Sequence, residues 1–121
     1  MDDLVQFLRD RLTDDAQAAR RAGDSFRQIG ETGVIVATDG DRAEECASAN
    51  WSGIAEHIVR HDPARVLAEI DAKRSVLDLA ERARDYHETF VNGFAAALEN
   101  TLRLYALPYA DHPDYRPEWR P

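Results

Sequence analysis

His57 and His61 stand four residues apart, the spacing that sets two imidazoles on one face of a helix and lets them chelate a transition metal. A third ligand can come from Asp62, His87 or His112. A zinc protease needs Glu directly after the first histidine to act as base, and Ile58 holds that place. The plainer reading makes His57 a partly buried polar-face residue and His61 a helix-end residue favoured by the dipole. That reading outweighs the metal one, so neither a metal nor a cofactor is expected. The remaining chemistry-bearing residues are weaker still. Cys46 follows Glu44-Glu45, and neighbouring acids suppress the thiolate a nucleophile needs. Glu56, Glu69, Asp71, Glu81 and Glu88 have basic neighbours in Arg60, Lys73, Arg74, Arg82 and Arg84, as solvated helix faces do, and no spacing isolates an acid–base pair. Asp39-Gly40-Asp41 opens like a calcium loop but lacks its later ligands and closing Glu, and the Gly30/Gly33 pair lacks a phosphate-loop lysine. No catalytic residue emerges.

Binding is the better prospect. The chain of 121 residues carries 15 Lys and Arg against 23 Asp and Glu, a formal net charge of −8. Phosphate neutralisation needs a concentrated basic footprint, and here the bases are interleaved with acids, as in Arg9-Asp10-Arg11, so direct nucleic-acid binding is not expected. The same charge disfavours anionic membrane surfaces, and the longest apolar runs, such as Phe94 to Leu98, are far too short to span a bilayer. One cysteine permits no disulfide within the chain, and Met1-Asp2-Asp3 is acidic where a signal peptide is basic, so the expected location is cytoplasmic.

The elements that must position these residues are predominantly helical. Leu4, Val5, Leu8, Leu12, Ala16 and Ala19 form one stripe of an amphipathic helix over Asp2 to Ala22, which Gly23 stops. β-Branched Val34-Ile35-Val36 suits a strand, Ser25 to Ile29 is its weaker partner, and Gly30-Glu31-Thr32-Gly33 has turn chemistry, which predicts a β-hairpin at about 24–41 closed by Asp39-Gly40. Residues 42–50 read as a loop or a helical turn. Asn50 is a candidate cap for a short helix from Trp51 to about Arg60, with Trp51, Ile54, Ala55 and Ile58 on one face. Asp62-Pro63 ends that helix and starts another, since Asp accepts at the N-cap and Pro suits the first helical position. The next segment shows no firm stop before Pro108. Unbroken to Ala106, it would run about 65 Å. It is either one bent helix or two, with Asn92-Gly93 the preferred break and Arg84-Asp85 the weaker one.

This segment is apolar on more than one face. Val66, Ile70 and Leu77 define one stripe, and Val76, Leu79, Ala83, Tyr86, Phe90 and Phe94 define another. A helix with two greasy faces needs cover on two sides, which predicts self-association as a homodimer, with an unidentified protein partner as a further possibility. The Pro- and aromatic-rich end, with Tyr109, Tyr115 and Trp119, predicts an extended tail ordered against the rest, since burial is what rewards aromatics. The same three rings are candidates for engaging a partner domain. The expected organisation is α+β and mostly helical: a domain over 1–108 and an extended tail over 109–121. The interaction residues are Val76, Leu79, Tyr86, Phe90, Phe94, Tyr109, Tyr115 and Trp119. An interaction or regulatory module leads. A metal protein or enzyme using His57 and His61, and an acidic nucleic-acid mimic, are the alternatives.

Three segments also carry a resemblance. They are Met1-Asp2-Asp3-Leu4-Val5-Gln6-Phe7-Leu8, the run from His57 to Ile70, and the run from Thr101 to His112 and Pro113 continuing through Tyr115 to Trp119. Together they resemble an uncharacterised family of small actinobacterial proteins classed as a domain of unknown function. That resemblance implies no activity.

Overall fold

A computed structural model describes residues 1–84 and 89–121, with the backbone alone for residues 89–92. Helix α1 (Asp2–Arg21) is followed by strands β1 (Ser25–Gln28), β2 (Val34–Asp39) and β3 (Arg42–Ser48), and then by helices α2 (Ser52–Arg60), α3 (Pro63–Arg84) and α4 (Thr89–Ala106). Two single turns of 3-10 helix, Leu107–Tyr109 and Pro117–Trp119, lie in the tail. The chain forms two compact units, Asp14–Ile70 on the one hand and Met1–Thr13 with Asp71–Pro121 on the other. The stripe expected on α1 is real, since Leu4, Val5, Leu8, Leu12, Ala16 and Ala19 are all buried, and Phe7 joins them.

In the unit Asp14–Ile70 the sheet is antiparallel in the order β1-β2-β3. Gly23 stops α1 with φ +118°, and a Cβ there would lie 2.7 Å from the Thr38 carbonyl oxygen, so both backbone angle and space require glycine. The hairpin of β1 and β2 forms as expected, with Phe26 opposite Ala37 and Gln28 opposite Ile35. The reading of residues 42–50 as loop or helical turn is corrected, because Arg42–Ser48 is a third strand. Its sequence, Arg-Ala-Glu-Glu-Cys-Ala-Ser, has no β-branched residue and no alternation, so local propensity points away from a strand. The two-residue loop Gly40-Asp41 overrides it. Gly40 takes φ +60° at the first loop position, as a type II′ hairpin turn needs, and feeds the chain back along β2. Asp39-Gly40 thus continues the sheet instead of closing it.

Helix α2 lies against β1 and β2, and the Gln28 side-chain amide donates to the Ser52 carbonyl at 3.1 Å. The N-cap of α2 is Trp51, with no side-chain cap bond, which corrects the expected Asn50 cap. Ala55 is buried as expected, but Trp51 is 65% exposed and leaves the apolar face assigned to it.

In the unit Met1–Thr13 with Asp71–Pro121, α1 and α3 run in opposite directions. Asp2 pairs with Arg84, while Arg9 reaches Asp78 at 2.9 Å and Glu81 at 2.8 Å. The Arg84 hydrogen bond and charge hold the Asp2 carboxyl below its usual range, and Asp78, then Glu81, push the Arg9 guanidinium up. The question of one helix or two is settled by Lys73, whose ammonium lies 5.5 Å from the Tyr105 ring centre. One continuous helix would separate those residues by about 48 Å along its axis. The chain therefore reverses between α3 and α4. Asn92-Gly93, the preferred break, is interior to α4, and the weaker break borders residues 85–88, outside the described residues. Ile70 and Leu77 of the first stripe are buried.

The tail is partly ordered, as expected, and two single helical turns interrupt its path. Two of its prolines sit where short helical turns accept them, Pro108 in the first turn after α4 and Pro117 at the start of the last one, because a fixed φ is already helical there.

Candidate interaction surface

The two histidines do lie together at the end of α2, His57 in its last turn and His61 as its C-cap. Their ring centres are 4.6 Å apart and both side chains are exposed. Nδ1 of His61 is 2.8 Å from the His57 carbonyl oxygen, so that nitrogen donates. Asp62, the adjacent third-ligand candidate, is committed elsewhere. Its Oδ1 accepts the Arg65 amide at 3.0 Å, capping α3, and its Oδ2 accepts the Phe26 amide of β1 at 3.1 Å. His112 is engaged in the tail, and His87 lies outside the described residues. Among the described residues, no three His, Cys, Asp or Glu side chains gather as a metal centre requires.

Four of the five candidate carboxylates pair with bases, Glu56 with Arg60 at 3.1 Å, Glu69 with Arg65 at 2.9 Å, Asp71 with Arg74 at 3.8 Å and Glu81 with Arg9, and the fifth, Glu88, lies outside the described residues. Most are neighbours on one exposed helix, the arrangement in which ion pairs contribute solubility more than stability.

Cys46 is exposed on β3. The register shifts from Ile35 opposite Ala47 to Val36 opposite Glu45, which leaves Cys46 as the extra residue of a β-bulge. Every residue of β3 is exposed, and Arg42, Glu44 and Glu45 put charge along its free edge. Bulge and charge are the two usual defences of an edge strand against pairing with another chain.

The tail aromatics turn inward onto Phe7 of α1. Ring centres of Tyr109, His112, Tyr115 and Trp119 lie 6.3, 5.7, 6.0 and 5.0 Å from that of Phe7, mostly edge to face. Arg11 stacks 5.2 Å over Phe7 and donates to Nδ1 of His112 at 3.1 Å, where the Asp114 amide also donates at 3.0 Å. Two donors on one ring nitrogen require its lone pair, which places the His112 proton on Nε2. Arg116 ties the tail to Asp3 at 2.8 Å, and Arg103 reaches the Glu118 carbonyl at 2.9 Å. Trp119 is buried, and the Tyr115 hydroxyl is buried with no hydrogen-bond partner among the described residues. The structure thus spends Tyr109, Tyr115 and Trp119 on contacts within the chain. The centre of that cluster, Phe7, was not among the residues singled out from the sequence. Its offset from Leu4, Val5 and Leu8 offers only a widened apolar stripe as a signal.

The outward side of α4 is different. Leu102 and Ala106 are buried, and the opposite side exposes Gly93, Phe94, Ala96, Ala97, Asn100 and Leu104. Phe94 is 50% exposed and Leu104 49%. None of these six residues is charged. The two charged side chains of α4 among those described, Glu99 and Arg103, are half-buried and 3.5 Å apart. Helix α3, by contrast, exposes Arg65, Glu69, Asp71, Asp78 and Arg82. Of the interaction residues expected on α3, Val76 is half-buried and Leu79 is 38% exposed. Tyr86 lies outside the described residues, as does the side chain of Phe90. The interaction residues expected from the sequence include Phe94 of this exposed side but not Leu104, Ala97 or Ala96, although Phe94, Ala97, Thr101 and Leu104 follow a 3-4-3 spacing along one helical seam.

No helix among the described residues is long and apolar enough to cross a membrane. No curated protein and no solved structure matches the chain significantly. A family model matches it from end to end, over residues 1–121, and the chain accordingly belongs to the family of unknown function DUF6221.

Proposed function

We propose that this protein is an interaction module that acts by self-association, with the outward side of α4 as its contact surface. The observation that carries this reading is the uncharged, largely apolar exposed side of α4, interrupted only by Asn100 among its six residues, in a chain of net charge −8. A helix side meant to stay in water normally carries charge, and a broad apolar patch on a small protein marks a contact. Leu79 and Val76 on α3 add apolar surface to the same unit. A reducing, cytoplasmic setting suits the exposed thiol of Cys46.

Light scattering over about 1 µM to about 1 mM protein tests the proposal, since a modest apolar contact falls in that affinity range. The average mass should rise from that of one chain towards that of two. Leu104→Asp should hold the protein at the mass of one chain with unchanged helical circular dichroism, because Leu104 is on the exposed side. A wild-type protein that stays single throughout, or a Leu104→Asp variant that associates like wild type, overturns the reading.

A further inference from the structure

We infer that the occupant of the α4 surface is α4 of a second copy, packed antiparallel about a two-fold axis that crosses the seam midway between Ala97 and Thr101; this rests on the self-association reading and specifies its geometry. Charge selects the occupant. Two chains of net charge −8 repel across most of their surfaces. The exposed side of α4 is a place where they meet without opposing or desolvating like charges. A basic partner gains nothing there.

Spacing selects a helix as the element that binds. Phe94, Ala97, Thr101 and Leu104 follow the three-four alternation of a helix seam, which matches neither the two-residue repeat of a strand nor the threefold repeat of polyproline. Size then selects the direction. The seam reads large, small, small, large, so an antiparallel copy sets Phe94 against the partner's Leu104 and Ala97 against the partner's Thr101. Each end then receives one ring and one aliphatic chain, whereas parallel copies crowd two rings at one end. Antiparallel packing also opposes the helix dipoles. Gly93, where an added Cβ would meet nothing within 4 Å, and Ala96 with Ala97 leave room for close approach.

Disulfide trapping in a Cys46→Ser background tests the geometry, with light scattering of the reduced proteins alongside. Antiparallel packing keeps Phe94 of one copy about 15 Å along the axis from Phe94 of the other, beyond the roughly 7 Å Cα separation a disulfide spans. Phe94→Cys mixed with Leu104→Cys should therefore cross-link at least about ten-fold more than either variant alone. Ala97→Cys mixed with Thr101→Cys, which keeps both large side chains, should also cross-link, with a smaller preference over self-pairing because its self-offset is only about 6 Å. If each variant cross-links to itself as much as or more than to the other, the antiparallel inference is overturned, and self-linking alone means parallel copies. Dimers by mass that never cross-link place the contact elsewhere and also overturn it. A single-chain mass for the Cys46→Ser parent instead removes the self-association reading itself.

Discussion

In the unit of Met1–Thr13 with Asp71–Pro121, the side chains taken out of water include the large ones Leu4, Phe7, Leu8, Leu12, Leu77, Leu102 and Trp119, beside Val5, Ala80, Ala83 and Ala106. In Asp14–Ile70 the buried apolar residues other than Ile35 and Ile70 are the alanines Ala16, Ala19 and Ala55. Each fully buried Leu or Phe contributes about 1.5–3 kcal/mol, and an alanine much less. The sheet unit must therefore lean on polar bonds. It shows them: Asp62 to Phe26 and Arg65, Asp24 to the Gly40 amide at 2.7 Å, Ser25 to Thr38 at 2.7 Å and Gln28 to Ser52. Such bonds, exposed or part-buried here, add only about 0.5–1.5 kcal/mol each. Volume changes should hurt the first unit, and lost hydrogen bonds the second.

The outer surfaces differ in the same sense. β3 exposes both its faces and its edge but carries charge and a bulge. α4 exposes one face with no charge at all. A strand edge offers unpaired backbone groups to any chain, so it must be guarded everywhere. A helix has satisfied its own backbone, and its exposed face can be left apolar where a specific contact is wanted.

The sharpest way to break the comparison is Phe7→Ala. Removing the ring at the centre of four others should destabilise by about 3–5 kcal/mol, as large core truncations to alanine do. Urea unfolding followed by tryptophan fluorescence checks it. A loss below about 1 kcal/mol would mean that the tail cluster contributes little and that the unit rests on its leucines.

Asp62→Ala probes the sheet unit. It removes the cap of α3 and the acceptor of the Phe26 amide together, so a loss of about 1–3 kcal/mol is expected, more than a cap alone gives. Asp62→Asn keeps one oxygen and should lose about half as much. Amide exchange at Phe26 and Arg65 reads the two bonds separately. If both variants exchange like wild type, the polar account of this unit is wrong.

How far these features could be read in advance depended on how local their cause is. α1 was legible because its apolar spacing alone decides which side is buried. Asp62-Pro63 was legible because the two residue types satisfy helix-start chemistry by themselves, though nothing local announced that the second carboxylate oxygen would take the Phe26 amide. β3 was not legible, since Arg-Ala-Glu-Glu-Cys-Ala-Ser carries no strand preference and is held by its ladder to β2. The reversal between α3 and α4 was misplaced at Asn92-Gly93 because glycine inside a helix costs only about 1 kcal/mol, which tertiary packing readily offsets. The surface on α4 was half legible: Phe94 stood out by type, whereas alanines and a glycine become informative only once one side of the helix is known to be bare.

The smallest expected effect has the opposite sign and refines the picture of the helical unit. The Tyr115 ring packs on Phe7 at 6.0 Å and on Trp119 at 5.6 Å, yet its hydroxyl is buried without a hydrogen-bond partner among the described residues. A buried hydroxyl left unpaired gives up its bonds to water and gains none, at a cost of about 1–3 kcal/mol against an apolar group of the same shape. Tyr115→Phe keeps the ring contacts and removes only that oxygen, so it should raise stability by roughly 1 kcal/mol, seen as a higher urea midpoint at unchanged slope. A unit governed by volume should tolerate this exchange while failing at Phe7→Ala, and the pair of measurements separates packing from polarity within one cluster. A loss of stability in Tyr115→Phe would show that the hydroxyl makes a bond, to water or to another group. The helical unit would then share the polar dependence otherwise assigned to the sheet.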